Sequence, residues 1–360
     1  MPVNEETARD GTRAPVIDLS IVVVNYNNFR VLRGCLPALV EAIHGINAEV
    51  IVSDNGSTDG SLEWIRCAFL QFRLVENGAN LGFAEANNRA FECATGRCIL
   101  LLNPDTMVLG DAIGAMMRFL EQRPRVGAVG CRLLNGDGSR QISARSFPTL
   151  TTFAMDLTGL AWRRPQSRLC GRFNMTYWNG ETARSVDWVS GAALMFRREI
   201  LQHVGCLDPW FFLTYDEIDF CRRIKDAGYE VWYTPEGQIV HLDRQSEPQS
   251  NPRPEARIKY LTVERNSRVR YFVKHHGRVY ALCVELLHFA LAAAFLLKAG
   301  VFGTKQSPET VMEKRLLLRL NWATVFRLPR VCWDRLRRSL FRTLPGSPTP
   351  LFINPYLANE

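Results

Sequence analysis

The chain has 360 residues, and 47% of them are hydrophobic, a composition that supports a full core and argues against a largely disordered protein. Its formal net charge of +8 is unevenly placed, because residues 251–345 hold 19 Lys and Arg against 6 Asp and Glu. The ten cysteines form no CxxC pair, which argues against a disulfide scaffold or a zinc site and favours reduced thiols.

The N-terminal part of the chain predicts a βαβ unit. Residues 1–18 lack an apolar core, so we expect a flexible tail and no signal peptide. The β-branched run 19–24 predicts a strand, the apolar residues within 31–43 recur at helical spacing, and 49–53 predicts a second strand. Asp54 opens the polar cluster after that strand.

Polar residues follow both predicted strands at the point where each ends. Asn25, Tyr26 and Asn27 follow the first strand, and Asp54 follows the second. Asp54 lies where a dinucleotide-binding fold keeps its ribose-binding acid, but the chain has no G-x-G-x-x-G and no G-x-x-x-x-G-K-[ST]. The two strand ends therefore predict a nucleotide site that holds phosphates without a glycine-rich loop.

A short apolar run, 99–102, ends in Asn-Pro-Asp and predicts a central strand of a parallel sheet. Ligands of open α/β sheets bind at the carboxyl ends of the strands, and the Asp105 carboxylate there suits a divalent cation that carries phosphate oxygens. The alternative is a plain turn at Asn103 and Asp105. Upstream, the stretch around Asn80 predicts either ligand contacts through amides or a loop with a helix cap.

The middle of the chain predicts further α/β elements and one irregular stretch. Residues 112–120 predict a helix, 126–131 a short strand, and 135–138 a tight hairpin turn. Residues 140–185 show scattered aromatics and arginines without clear periodicity. We expect a long loop or lid there, and such loops are often functional.

Two features of the second half are candidates for substrate binding and catalysis. The aromatic strand around Trp188 leads to Gly191, a position where a substrate can pass close to the backbone. Asp216, Glu217 and Asp219 begin a helix just after an aromatic stretch. They either compensate the helix dipole or are carboxylates of raised basicity.

The second half ends with two short predicted strand segments, 229–234 and 239–242. His241 lies at the end of the second segment. A lone His at a strand end is more often structural, although His is also a common metal ligand.

The C-terminal third predicts a membrane-associating appendage. Residues 247–256 form a proline-rich linker, 257–345 a basic amphipathic helical region, and 346–360 a tail. The apolar run 279–297 contains Glu285, which argues against a lipid-exposed span.

Within that region, residues 311–342 mix Leu, Trp and Phe with basic residues and predict a helix in the membrane interface. The alternative is a helical pair packed on the catalytic domain. We expect peripheral or monotopic attachment to an anionic membrane surface, and no nucleic acid partner.

Over residues 19–246 the motifs agree in order and spacing with one family. The chain resembles the inverting family 2 glycosyltransferases with the GT-A fold, especially their rhamnosyltransferase-like branch. The motifs that carry the resemblance are IVVVNYN, SDNGSTDGS, NLGFAEANN, NPD, SGAALMFRRE, an Asp-Glu pair and a downstream His. The resemblance implies an α/β fold with a Rossmann-like, mostly parallel sheet and a nucleotide-sugar donor.

The resemblance also implies roles for single residues. The residues expected to bind the nucleotide sugar are Asn25, Tyr26, Asn27, Asp54, Asn80, Asn103 and Asp105. Asp105 and His241 are expected to bind a divalent metal, Mg²⁺ or Mn²⁺, and Trp188 and Gly191 are expected to bind the acceptor. Glu217 is the expected catalytic base, with Asp216 and Asp219 as assisting acids.

The chain departs from the family pattern at two positions. Asn103 stands where the DxD motif has its first Asp, so the hold on the metal depends more on His241. The acidic pair reads Asp-Glu where many relatives read Glu-Asp, and the second position, Glu217, is the expected base.

The expected reaction is metal-dependent transfer of a sugar, with L-rhamnose from dTDP-L-rhamnose as the first choice of donor. The acceptor would be a hydroxyl of a lipid-linked or polysaccharide glycan made for the cell surface, at the cytoplasmic face of the plasma (inner) membrane. A UDP-hexose, galactofuranose or amino-sugar donor fits the same motifs. A non-catalytic membrane scaffold of the same fold is the alternative from another class.

Overall fold

The computed structural model describes residues 17–242 and 254–302. Most of the predicted tail 1–18, most of the linker 247–256, the stretch 311–342 and the tail 346–360 lie outside them. The strands are β1 (Leu19–Asn25), β2 (Ala48–Asp54), β3 (Arg73–Glu76), β4 (Cys98–Leu102), β5 (Thr106–Leu109), β6 (Val126–Leu134), β7 (Arg140–Gln141), β8 (Ala144–Arg145), β9 (Arg184–Val186), β10 (Trp188–Val189), β11 (Ala193–Arg197) and β12 (Glu230–His241).

The helices alternate with these strands in the first half of the chain and become longer towards the C-terminus. They are α1 (Phe29–Ala42), α2 (Ser61–Ala68), α3 (Phe83–Phe91), α4 (Ala112–Glu121), α5 (Leu150–Leu157), α6 (Leu160–Arg163), α7 (Ile200–Val204), α8 (Asp216–Asp226), α9 (Pro254–His276) and α10 (Arg278–Phe302).

One large mixed sheet carries the fold, in the order β3-β2-β1-β4-β11-β6-β12-β5. The strands β3, β2, β1 and β4 are parallel to one another, and β6 is parallel to β12. The inserted strand β11 runs antiparallel to both β4 and β6. The predicted α/β fold with a mostly parallel sheet is confirmed.

The central strands are buried on both faces, which explains their continuous apolar sequence. All seven residues of β1 and all five of β4 are buried. α1 packs its apolar stripe, with Leu32, Leu36 and Leu39 fully buried, into the same core. This packing fixes the strand ends, where the polar residues follow.

Two sequence predictions differ from the structure. Segments 229–234 and 239–242 are one strand, β12, because a register shift between Thr234 and Gln238 absorbs the irregular residues between them. Residues 140–185 are not one irregular loop, since they contain β7, β8, α5 and α6. α5 begins with a capping box whose second member is Thr152 rather than the usual Glu or Gln.

The chain divides into two compact units, residues 1–277 and 278–360. The first unit therefore extends beyond residue 246 and includes α9. In the second unit, Arg278–Leu297 of α10 is long and apolar enough to cross a membrane, with a mean hydropathy of 2.0, by length and composition alone.

Candidate active site

The ends of β1 and β2 are joined by the buried side chains of Asn25 and Asp54, which are partners in the parallel register. The side-chain amide of Asn25 donates to Oδ1 of Asp54 over 2.8 Å and to the Ser61 hydroxyl over 2.8 Å. The backbone N–H groups of Gly56 and Ser57 donate to Oδ2 of Asp54 over 3.0 and 2.9 Å. Both carboxylate oxygens thus fix the turn after β2.

The turn after β1 is held against the same loop. Asn27 adopts a left-handed backbone with φ of 53°, and its N–H donates to the Ser57 hydroxyl over 2.9 Å. Its side-chain oxygen accepts from the Thr58 N–H over 2.8 Å. The neighbouring Tyr26 side chain is 42% exposed, so it is accessible to a ligand at this edge of the sheet.

The loop around Asn80 lies against the segment that precedes the acid cluster. Oδ1 of Asn80 accepts from the Gly82 N–H over 3.1 Å. Gly82 has φ of 85°, and a Cβ atom there would lie 2.5 Å from the carbonyl oxygen of Phe212. The Phe83 N–H donates to that same oxygen over 2.8 Å. Only glycine fits this close backbone approach.

Asp105 and His241 meet where β4 gives way to β5. His241 pairs with Thr106 in the antiparallel register of β12 and β5, so its ring reaches the residue before Thr106. Nε2 of His241 lies 3.4 Å from Oδ1 of Asp105 and 3.3 Å from the side-chain nitrogen of Asn103. Asp105 is 1% exposed.

A third residue orients the imidazole. Nδ1 of His241 lies 2.8 Å from Oε1 of Gln141, an amide oxygen that only accepts, so Nδ1 carries the proton. Nε2 is then the unprotonated nitrogen, 3.3 Å from the side-chain nitrogen of Asn103 and 3.4 Å from Oδ1 of Asp105. An outer partner holds metal-binding histidines in the same way.

The Asp105 and His241 pair fits a divalent cation. A carboxylate oxygen and an imidazole nitrogen 3.4 Å apart can both bind one ion. Within residues 17–242 and 254–302, no group of three or more His, Cys, Asp or Glu is arranged to hold a metal. The remaining ligands would therefore be water and phosphate oxygens, as is usual for Mg²⁺.

Glu217 faces Gly191 across the start of β11. A Cβ atom on Gly191 would lie 3.6 Å from Cβ of Glu217. The next residue, Ala192, accepts a backbone hydrogen bond from Asn103 over 3.0 Å. Because β11 is antiparallel to β4, its start lies beside the end of β4, and the acid cluster and the Asp105 edge meet there.

Asp216 and Glu217 form a closely coupled acidic pair. Burial raises the pKa of Asp216 well above its usual range, and the neighbouring charge of Glu217 raises it further. Burial also raises the pKa of Glu217, although the charge of Arg145 opposes that shift. Asp216 is 2% exposed whereas Glu217 is partly exposed, so Asp216 keeps the proton and Glu217 is the member that ionises.

The turn that leads into this pair is strained. Thr214 and Tyr215 are consecutive left-handed residues, with φ of 62° and 67°, and such positions cost about 1–3 kcal/mol each. α9 holds the turn, because the Ser267 hydroxyl donates to the Leu213 carbonyl over 3.0 Å and the ring of Tyr271 packs against that of Tyr215.

Asp219, an expected assisting acid, lies in an ion cluster. Its Oδ2 lies 2.8 Å from Nε of Arg223, and its Oδ1 lies 2.7 Å from both Nζ of Lys274 and Nε2 of His275. Burial raises the pKa of Asp219, but the hydrogen bond from His275 and the charges of Arg223 and Lys274 outweigh it and lower the pKa to about 2. Asp219 therefore anchors α8 to α9.

Trp188, an expected acceptor contact, is 3% exposed. Its indole N–H donates to the Ser146 carbonyl over 2.9 Å, and the Arg145 guanidinium lies over its ring. The Trp188 side chain therefore packs in the core beside β8. The acceptor contact expected of Trp188 stays a prediction.

Gln141, Lys274 and His275 were not among the residues that the sequence singled out. Gln141 lies in the stretch that shows no clear periodicity, and a glutamine carries no motif of its own. Lys274 and His275 lie in a basic run that predicts membrane contact rather than ion pairs within the domain. Their roles follow from tertiary contacts between residues far apart in the chain.

Comparisons with a known family and with individual relatives both match this chain to glycosyltransferases. Residues 20–205 match the family described as glycosyl transferase family 2. Over 236 residues the chain is 30% identical to an N-acetylglucosaminyl-diphospho-decaprenol L-rhamnosyltransferase of Mycobacterium tuberculosis, which covers 62% of this chain and 75% of that protein. Over 176 residues it is 26% identical to the rhamnosyltransferase WbbL of Escherichia coli, covering 46% and 62%.

Among solved structures, the chain is similar to a mannosyltransferase of Pyrobaculum calidifontis in complex with GDP-Man and Mn²⁺. The TM-score is 0.49, the sequence identity is 18%, and the similarity covers 86% of each chain.

Proposed function

The chain belongs to glycosyl transferase family 2, and from this premise we propose that it transfers one sugar from a nucleotide diphosphate to an acceptor hydroxyl, with inversion at the anomeric carbon. One observation supports this most strongly. Glu217 lies over Gly191, and Asp105 and His241 lie beyond Asn103 at the same end of β4 and β11. The proposed base and the proposed diphosphate site therefore lie at the same edge of the sheet.

Glu217 is the proposed base. An acceptor hydroxyl has a pKa far above 7, so a positioned carboxylate has to accept its proton while the oxygen attacks. The hydroxyl proton ends on Glu217 as the new C–O bond forms and the bond to the diphosphate breaks. Attack from the face opposite the diphosphate inverts the anomeric centre.

Asp216 supports this base without competing for the same proton. Because Asp216 is buried and keeps its proton, the pair carries one negative charge, and that charge resides on Glu217. The Arg145 charge favours the ionised form of Glu217. Asp219 fixes the helix that carries both acids through its contacts with Lys274 and His275.

Asp105 and His241 are the proposed ligands of a divalent metal, Mg²⁺ or Mn²⁺. When bound, the metal would stabilise the negative charge that develops on the leaving diphosphate. Gln141 holds the His241 ring in the required tautomer, and Asn103 contacts the same ring. The single carboxylate of this site makes the orientation of His241 more important than in a DxD site.

The nucleotide would lie over the ends of β1 and β2. Asp54 and the backbone of the Asn25–Asn27 turn hold its base, with Tyr26 accessible beside them and Asn80 on the neighbouring loop. For the donor we propose dTDP-L-rhamnose, because two similar proteins, from Mycobacterium tuberculosis and Escherichia coli, are rhamnosyltransferases.

The proposed acceptor is a sugar linked through a diphosphate to a lipid, in the synthesis of a cell-surface glycan. The acceptor in the name of the Mycobacterium tuberculosis relative is of this kind. A lipid-linked acceptor requires an enzyme at the membrane, and the length and apolar character of α10 support attachment there. We propose the cytoplasmic face of the plasma membrane, where sugar nucleotides are available.

The test is nucleotide release by the full chain in detergent or vesicles, with a panel of sugar nucleotides and a lipid extract. The expected result is release from dTDP-L-rhamnose that EDTA abolishes and Mg²⁺ or Mn²⁺ restores. Nucleotide release from another donor alone would contradict rhamnose as the donor sugar but would still support sugar transfer. Nucleotide release that EDTA does not reduce would contradict the metal requirement.

A further inference from the structure

Three exposed arginines, Arg168, Arg172 and Arg184, line a pocket of about 370 Å³ that contains none of the proposed catalytic or metal-binding residues. Tyr177 and Ser146 also line this pocket. Among residues 17–242 and 254–302, none of the three guanidinium groups has a carboxylate partner within ion-pair distance. Three cations that face one space repel one another, and an anion that binds there would relieve this repulsion.

The single carboxylate in the wall of this pocket is already compensated. Oδ1 of Asp187 lies 2.9 Å from Nζ of Lys225, and Oδ2 accepts from the Phe147 N–H over 2.9 Å. Lys225 therefore neutralises the charge of Asp187, and the net charge of the pocket remains positive. Its chemistry suits an anion with several oxygens.

The segment that carries two of the arginines is tightly folded. A Cβ atom on Gly171 would lie 2.3 Å from the hydroxyl oxygen of Thr176, and that hydroxyl donates to the Pro165 carbonyl over 2.7 Å. The Ser146 N–H donates to the Phe173 carbonyl over 2.9 Å and ties the segment to the end of β8. The arginines thus extend from a fixed backbone.

The third arginine is held by aromatic rings. The guanidinium carbon of Arg184 lies 5.7 Å from the centres of the Tyr177 and Trp178 rings, within the range of cation–π attraction. This contact leaves the guanidinium N–H groups available for a ligand while it restricts the side chain.

One wall of the pocket is connected to the residues around the proposed base. Asp187 in this wall is four residues before Gly191, and an extended chain of that length spans at most about 14 Å. The Arg145 carbonyl accepts from the Asp187 N–H over 3.2 Å, and the charge of Arg145 acts on Glu217. The pocket and the proposed base thus share Arg145 and Asp187 as neighbouring residues.

We propose that Arg168, Arg172 and Arg184 bind the diphosphate of the lipid-linked acceptor. This inference rests on the proposed function, in which the reacting hydroxyl belongs to the sugar carried by that diphosphate. Guanidinium groups match phosphate oxygens with paired, charge-assisted hydrogen bonds. The donor diphosphate has a separate place at the Asp105 edge, so one enzyme holds two diphosphates with the donor sugar and the acceptor sugar between them.

The test measures binding of geranyl diphosphate and of geraniol to the full chain in detergent. EDTA is present so that metal-dependent binding at Asp105 does not contribute. In the triple variant Arg168→Gln, Arg172→Gln, Arg184→Gln we expect the Kd for geranyl diphosphate to rise about tenfold or more, because several charge-assisted hydrogen bonds are lost. Binding of geraniol should not change.

The matched control is Arg163→Gln, because Arg163 is an exposed arginine of the same segment that does not line the pocket. It should bind geranyl diphosphate as the wild type does. A triple variant that folds and binds geranyl diphosphate with wild-type affinity would overturn the inference.

Two further measurements complete the test. One distinguishes a lipid-linked diphosphate from a free anion, and the other distinguishes failure of this inference from failure of the proposed function. Inorganic diphosphate that binds as tightly as geranyl diphosphate, and that a diphospholipid-linked sugar fails to displace, would overturn the acceptor assignment. In turnover, we expect the triple variant to raise the KM for a diphosphate-linked acceptor and to leave the donor KM unchanged. Arginine-dependent binding without any sugar transfer by the wild type would support the pocket and reject the proposed function.

Discussion

Oε1 of Gln141 lies 2.8 Å from Nδ1 of His241, although the two residues are 100 positions apart in the chain. This hydrogen bond decides which imidazole nitrogen faces Asp105. A histidine whose outer nitrogen is held in this way is a better and more selective metal ligand.

The variant Gln141→Leu removes that orientation and leaves both proposed ligands in place. We expect the metal concentration for half-maximal nucleotide release to rise about 10–100-fold, as is usual when the outer partner of a metal ligand is lost. A titration with Mg²⁺ or Mn²⁺ measures it. Gln122→Leu, at an exposed glutamine at the end of α4, is the control. An unchanged metal requirement in Gln141→Leu would show that this hydrogen bond does not support the proposed metal site.

Gly82→Ala tests the close approach between the Asn80 loop and the segment before the acids. The new Cβ would lie 2.5 Å from the Phe212 carbonyl oxygen at a positive φ, so we expect the free energy of unfolding to fall. Gly138→Ala is the matched control, because it shares a positive φ of 81° but has open space around it. In that control the free energy of unfolding should fall only by the cost of the backbone strain, about 1–3 kcal/mol. Equal losses in both variants would show that the contact with Phe212 is not fixed.

Asp216→Asn tests the protonation of the acidic pair. The raised pKa of Asp216 means that the folded state keeps a proton which the unfolded chain loses as pH rises above about 4. The wild type therefore loses stability with rising pH through this residue, and the neutral Asn does not. We expect Asp216→Asn to have the higher Tm at pH 8 and the difference to shrink towards pH 4. A Tm of Asp216→Asn that is lower than that of the wild type at pH 8, with the deficit shrinking as the pH falls, would mean that Asp216 is ionised in the fold.

Asp219→Asn tests the anchor between α8 and α9. Its pKa is lowered to about 2 by His275, Arg223 and Lys274 against the effect of burial, so its carboxylate stabilises the fold at neutral pH. The difference from an unfolded value of about 3.9 corresponds to about 2–3 kcal/mol, lost progressively as pH falls from about 4 to 2. We expect that loss in urea unfolding of the variant at pH 7, with a smaller difference at pH 3.

Asp226→Asn is the control for this measurement. Asp226 forms an exposed i,i+4 pair with Arg222 on the same helix, and such pairs contribute about 0.5 kcal/mol or less. A loss in Asp219→Asn no larger than that of Asp226→Asn would contradict the anchor.

The residues at the strand ends could be predicted from the sequence because local signals reinforce one another there. Buried strands such as β1 and β4 are continuous apolar runs, and each ends at a polar residue, Asn25 or Asn103, that cannot continue the core. In a mostly parallel sheet these ends share one edge. In this topology Asp54 and Asp105 fall at one edge of the sheet, whereas His241 is expected beside Asp105 only from the family resemblance.

The supporting residues could not be predicted, since their roles depend on distant contacts. The side chain of Trp188 is buried because it packs beside Arg145, which lies 43 residues earlier in the chain. Lys274 has the same charge whether it faces lipid or Asp219, and only the fold brings it to 2.7 Å from that carboxylate. The charge of a residue can be read from the sequence, but the residue with which it pairs cannot.

The central claim is that Glu217 accepts the acceptor proton in an inverting transfer, and Glu217→Gln tests it most directly. We expect kcat to fall about 10²–10⁴-fold, because the positioned base is lost, while the Kd of the nucleotide stays unchanged. Glu236→Gln, at an exposed glutamate of β12, should keep wild-type kcat. NMR of the wild-type product should show the anomeric configuration opposite to that of the donor. A folded Glu217→Gln enzyme with near wild-type kcat, or a product that retains the donor configuration, would contradict the mechanism.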